Sequence, residues 1–182
     1  MELKTEIISR QTKNWVEHFV IALNLCPFAR SPFERQSIRY SVSQAQSTED
    51  LLRDLILELQ KINSNLDIET ALLIHPQVLQ DFADYNDFLA VVDAVLEDME
   101  LDGIIQVASF HPNYCFAGEE VSDVSNYTNR SPYPMLHILR EASLEVVLKT
   151  YPNPEEIPDR NIELTRSIGL DAMKAILANC YK

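Results

Sequence analysis

The sequence predicts an α/β protein with a small, mainly parallel sheet of at least three strands, a β-α-β-α-β core flanked by helices, and helix-rich ends. Three observations carry that expectation. Short apolar or β-branched runs occur at "SIRYSVS" (Ser37 to Ser43), "TALLIHP" (Thr70 to Pro76) and "IIQVASFHP" (Ile104 to Pro112). Between them lie two stretches with a helical apolar period, long enough to serve as the crossovers that parallel strands require. A chain of 182 residues with 46% hydrophobic side chains has the material for the core of one domain spanning residues 1–182.

The elements follow in order. Ile8, Thr12, Trp15, Val16, Phe19 and Leu23 form the stripe of a first helix, which Pro27 ends by biasing Cys26 out of helical geometry. After the Ser37 to Ser43 strand, Ser47 or Thr48 can cap a helix whose apolar positions are Leu51, Leu52, Leu55, Ile56, Leu59 and Ile62. The second strand leads to a helix marked by Phe82, Tyr85, Leu89, Val92 and Leu96 and closed by Gly103, with Asp84 or Asn86 as candidate caps. From His111 to Pro134 no period survives. A connection of this length is functional or disordered, and Tyr114, Phe116, Tyr127 and Tyr133 favour an ordered one, packed over the strand ends. A helix is then expected from Pro134, with Leu136, Leu139, Ser143, Val146 and Val147 along one side. Two terminal helices meet at Gly169.

Composition narrows the function. With 28 acidic and 15 basic side chains the net charge is −13, which opposes approach to phosphate backbones or anionic lipid, so neither nucleic acid nor a membrane is expected as a partner. No stretch reaches the roughly 20 apolar residues of a membrane helix and no signal peptide is evident, so a cytoplasmic protein is expected. Three widely spaced cysteines, Cys26, Cys115 and Cys180, suit free thiols better than a disulfide framework. Phosphate-binding glycine loops, a GxSxG elbow and an HExxH helix are all missing.

The candidate chemistry begins with His75 and His111. Both close the carboxyl end of a strand and both precede a proline, so in a parallel sheet they fall on the edge where open α/β sheets bind ligands. Such a pair can exchange protons with a substrate or bind a metal ion. The plainer account is a polar strand end followed by a residue that cannot continue the ladder. His137, read as early in a helix beside the long loop, has a weaker catalytic claim.

Arg130, just before the helix expected from Pro134, can seat a phosphate or carboxylate together with that helix's free N–H groups. Asn129, Tyr127 and Tyr133 would line the seat, and Arg140, one helical turn after His137, would project with it. Against this, Arg130 can pair with Glu119, Glu120 or Asp123, and Arg140 with Glu141 or Glu145. Cys26 at a helix carboxyl end is disfavoured as a thiolate nucleophile. As a metal ligand it would complete a three-residue set with His75 and His111, suited to zinc or iron.

The segments "LNLCPFA", "LLIHP", "DFADYNDFL", "QVASFHP" and "NYTNRSPYPMLHILRE", in this order, resemble the bacterial domain-of-unknown-function family numbered fourteen-fifteen, from Thr5 to about Leu170. The resemblance implies a stand-alone cytosolic protein and assigns no catalytic residue, cofactor or partner. Two readings of function follow. The first is an enzyme acting on a small anionic molecule through His75 and His111, with or without a metal. The alternative is a non-catalytic anion- or metabolite-binding module centred on Arg130 and the helix after it. Uncovered sheet edges and apolar terminal helices are compatible with a homodimer.

Overall fold

The computed structural model describes residues 2–182. Four strands, β1 (Ile38–Val42), β2 (Thr70–Ile74), β3 (Ile105–Phe110) and β4 (Met135–Arg140), form one sheet in the order β1-β2-β4-β3. The α/β class expected from the sequence holds. The sheet is mixed: β1 and β2 pair in parallel, while β4 runs antiparallel between β2 and β3. Three strands thus point one way and the inserted fourth points back.

The main correction is β4 itself. Residues 135–140 were expected to start a helix, because Leu136 and Leu139 continue a helical stripe into Ser143, Val146 and Val147. A strand buried on both faces shows no alternation of apolar and polar residues, so its periodicity is uninformative. Helix begins only at α5 (Glu141–Leu148).

The strand period assigns the two sheet faces. Ala71, Leu73, Leu136, Ile138 and Ile105 share one face with Leu51, Leu55, Leu59 and Ile62 of α3 (Thr48–Ser64) and Tyr85, Phe88, Val92 and Leu96 of α4 (Phe82–Asp98). Both helices start on side-chain caps: Ser47 accepts from the Asp50 N–H at 3.2 Å, and Asp81, rather than Asp84 or Asn86, accepts from the Ala83 N–H at 2.8 Å. Leu72, Ile74 and Met135 face the other way. They pack with Ile8 and Trp15 of α1 (Glu2–Trp15) and with Val16, Phe19, Val20 and Ile21 of the π-helical turn that continues it (Val16–Ile21). Also on this side are α2 (Arg30–Glu34) and two terminal helices, α6 (Ile157–Ile168) and α7 (Leu170–Asn179), which meet at Gly169 with φ of 85°. The sheet is therefore covered on both faces. No helix among the described residues is long and apolar enough to cross a membrane.

Candidate functional site

His75 and His111 lie at one edge of the sheet, as their strand-terminal positions predict. Because β4 stands between β2 and β3, their backbones are two strand spacings apart, about 10 Å. Tyr85 joins them: its ring stacks on His75 at 5.8 Å and meets His111 at 5.1 Å. The Tyr85 hydroxyl accepts from the Phe110 N–H at 3.0 Å and donates to the Met135 carbonyl at 2.8 Å, so it ties β3 to β4 at the same edge.

The two imidazoles differ in what they have left to offer. His111 donates from Nε2 to the Leu79 carbonyl at 3.1 Å and accepts the Asn113 N–H on Nδ1 at 3.0 Å, so both ring nitrogens are satisfied by backbone. Fully buried His75 donates from Nδ1 to the Val78 carbonyl at 2.9 Å, and its Nε2 has no partner among the described residues. Burial lowers both rings' pKa, that of His75 to about 4 against its bond to Val78, so each is neutral near pH 7.

The long loop is ordered over these strand ends. Asn126 accepts the Phe116 N–H at 2.9 Å and donates to the Glu120 carbonyl at 2.9 Å. Asn129 donates to the Ser109 carbonyl at 3.2 Å. Arg130 lies over the Tyr127 ring at 4.7 Å and donates to the carbonyls of Tyr114 at 3.2 Å and Val121 at 2.8 Å. Its guanidinium holds the loop through backbone oxygens, and the chain beyond it enters β4, so the helix terminus expected beside it does not exist. The Tyr133 hydroxyl donates to the Gln11 side chain, tying the loop to the first helix.

Cys26 is nowhere in this cluster. Among the described residues no group of three or more histidine, cysteine, aspartate and glutamate side chains is placed to hold a metal ion, so the expected set of Cys26, His75 and His111 does not come together. Cys26 packs instead with the helical layer that covers the opposite face of the sheet from Tyr85.

That face holds a pocket of about 150 Å³. Thr70, Leu72, His137 and Leu139 supply its floor from β2 and β4; Trp15, Val16 and Val20 supply one wall, and Leu144 and Val147 of α5 another. The π-helical turn shapes the first wall. Its Ala22 N–H reaches the Glu17 carbonyl at 3.1 Å and the Leu25 N–H the Val20 carbonyl at 2.9 Å, five residues back in each case. Such widened turns recur at functional sites. Cys26 lines the pocket too, and burial raises its thiol pKa against the lowering by nearby backbone N–H groups, so it is a thiol rather than a thiolate near pH 7.

His137 is the imidazole of this pocket. Its strand position, not a helical one, puts it on the opposite sheet face from Arg140, three residues on. The Arg140 guanidinium accordingly reaches the carboxyl end of α3 and donates to the carbonyls of Ile62, Asn65 and Ile68. The His137 Nε2 lies 2.7 Å from the Thr70 hydroxyl, which in turn donates to the Ile138 carbonyl at 2.7 Å. A hydroxyl has one hydrogen, and the carbonyl takes it, so His137 must donate from Nε2. The ring's Nδ1 is then a bare acceptor. Burial lowers the pKa of His137 to about 4 and keeps the ring neutral.

The sequence signal for this site was slight. A single imidazole interrupts the apolar "MLHIL" run, and Thr70 opens another strand 67 residues earlier. The apolar walls read as core.

Fold and site together define a mixed α/β protein with a mostly apolar pocket beside a neutral histidine. The chain belongs to the family described as protein of unknown function (DUF1415), which matches residues 7–175. No curated protein and no solved structure matches the chain.

Proposed function

We propose that the chain binds a small molecule in the pocket between its sheet and the helices around Trp15 and α5, gripping it by apolar contact and by one hydrogen bond to His137. The observation that supports this reading is a mostly apolar cavity whose floor carries an imidazole with an unused valence; a largely apolar lining with a few polar groups is the usual design of a small-molecule site. Binding is favoured over proton abstraction. A ring whose pKa burial has lowered to about 4 is a weak base at neutral pH, far from the matched value that general-base catalysis rewards.

One observation supports a second reading at the carboxyl edge: the buried, unpartnered Nε2 of His75. There the ring would hold a substrate group or a bound water, the form that the His75 and His111 proposal takes once His111 is committed to backbone.

A thermal-stability screen of small metabolites on three proteins separates the two. Leu144→Trp fills the pocket from α5, and His75→Asn can keep a donor for the Val78 carbonyl while leaving nothing at the position of the orphaned Nε2. Ligand-induced stabilisation lost in Leu144→Trp and kept in His75→Asn supports the pocket; the reverse supports the carboxyl edge.

A further inference from the structure

We infer that the pocket is specific for an uncharged molecule about the size of a single six-membered ring that donates a hydrogen bond to His137 Nδ1, with Thr70 as the positioning residue that keeps that nitrogen bare. This rests on the pocket reading above and names the ligand class. Size follows from volume. An apolar cavity of about 150 Å³ is the size that accepts benzene.

Polarity follows from the hydrogen-bond chain. Thr70 sends its only hydroxyl hydrogen to the Ile138 carbonyl and so can only accept from His137, which fixes the imidazole in the tautomer with hydrogen on Nε2. Nδ1 has no partner among the described residues, yet it is not one of the sealed side-chain atoms that lack one, so it keeps access to open space on the pocket wall. A ligand donor meets an acceptor there; a ligand acceptor meets a lone pair.

Charge follows from the cations around the cavity, none of which is free. Arg35 pairs with Glu69, which also accepts from the Ser37 hydroxyl at 3.0 Å, and Arg140 is spent on the carbonyls of Ile62 and Asn65 at the end of α3 and of Ile68 in the connection to β2. An anion entering the pocket would lose its hydration and would have to draw these guanidiniums away from partners they already hold. The mechanism of selection is thus an unpaired acceptor that rewards donors, in an apolar chamber that rejects charge.

The test titrates the full chain at pH 7 with phenol, toluene and benzoate, three probes of one ring each, followed by chemical-shift changes at Val20, Leu72 and Leu144 and by calorimetry. Phenol is expected to bind at least tenfold more tightly than toluene, and benzoate at least tenfold more weakly than phenol. Long-range proton–nitrogen spectra of the His137 ring should show hydrogen on Nε2 in the wild type. In Thr70→Val the tautomer should be released and the phenol preference should shrink severalfold, and Thr70→Ser should restore both, which a merely structural threonine would not do. If all three probes shift the pocket resonances but toluene matches phenol, or benzoate exceeds it, the ligand class is wrong while the pocket stands. If no probe shifts them, the pocket reading fails and the inference with it. A wild-type His137 carrying hydrogen on Nδ1 overturns the role of Thr70.

Discussion

Acidification from pH 8 to pH 5 should destabilise this protein through His137, by an amount that can be worked out. The ring's pKa falls from the ordinary 6.5 to about 4 because it is buried. Between those values the unfolded chain binds the proton and the folded protein does not, so stability is fully present above about pH 6.5 and falls as pH drops toward 4. At pH 5 the unfolded ring is almost wholly protonated and the folded ring about one-tenth, which integrates to a loss of about 2 kcal/mol. His75, lowered to about 4 mainly by burial, adds a similar loss in the same window. Relief of repulsion among 28 acidic side chains acts in the opposite direction, so the wild-type curve alone is not decisive. The informative comparison is with His137→Gln, which keeps a donor for Thr70 and has no proton to gain. Urea unfolding followed by circular dichroism gives the midpoint at each pH. For a slope of about 2 kcal/mol per molar urea, the wild-type midpoint should fall about 1 M further than the variant's between pH 8 and pH 5. Parallel pH profiles in the two proteins would refute a His137 that the fold keeps neutral.

Other consequences follow from buried polar contacts. Tyr85→Phe removes the hydroxyl that joins the Phe110 N–H to the Met135 carbonyl and should cost about 2–4 kcal/mol in denaturant unfolding; a loss under about 1 kcal/mol would mean that water replaces it. Arg39 grips the buried Glu58 carboxylate at 2.7 and 3.0 Å, and although burial pulls that carboxyl's pKa up, the Arg39 and Ser41 contacts more than offset it. Arg39→Ala should therefore cost about 2–4 kcal/mol and raise the Glu58 pKa, whereas replacing both residues with methionine should recover most of the loss, as measured by urea midpoints and carboxyl titration. Cys26, its thiol pKa raised chiefly by burial, should react with an aromatic disulfide reagent at pH 7 more slowly than Cys115, and more slowly still with phenol present; mass spectrometry of the labelled peptides reads both.

The alternation of three strands with two helices was legible because α3 and α4 keep the helical period, β1 alternates, and β2 and β3 are short apolar runs closed by His-Pro. The strand β4 was not, since its apolar residues do not alternate and no turn parts it from α5, whose spacing Leu136 and Leu139 share. That one error moved the site. With residues 135–140 drawn as a helix, His137 and Arg140 appeared to project together and Arg130 to sit at a helix terminus; as a strand, the same residues separate His137 from Arg140 across the sheet. The common edge of His75 and His111 was readable from their matched strand ends, but their hydrogen-bond partners were not, because these come from Val78, Leu79 and Asn113 backbone groups whose path no side chain encodes. The pocket itself was hidden for the reason that apolar walls and apolar core use the same residues.

A crystal structure of the protein grown with phenol tests the central claim most directly. The account predicts the ring among Val20, Leu72 and Leu144 with its hydroxyl within hydrogen-bond distance of His137 Nδ1. Phenol seated instead beside His75 at the carboxyl edge, or in the pocket with its hydroxyl turned away from His137, would contradict it.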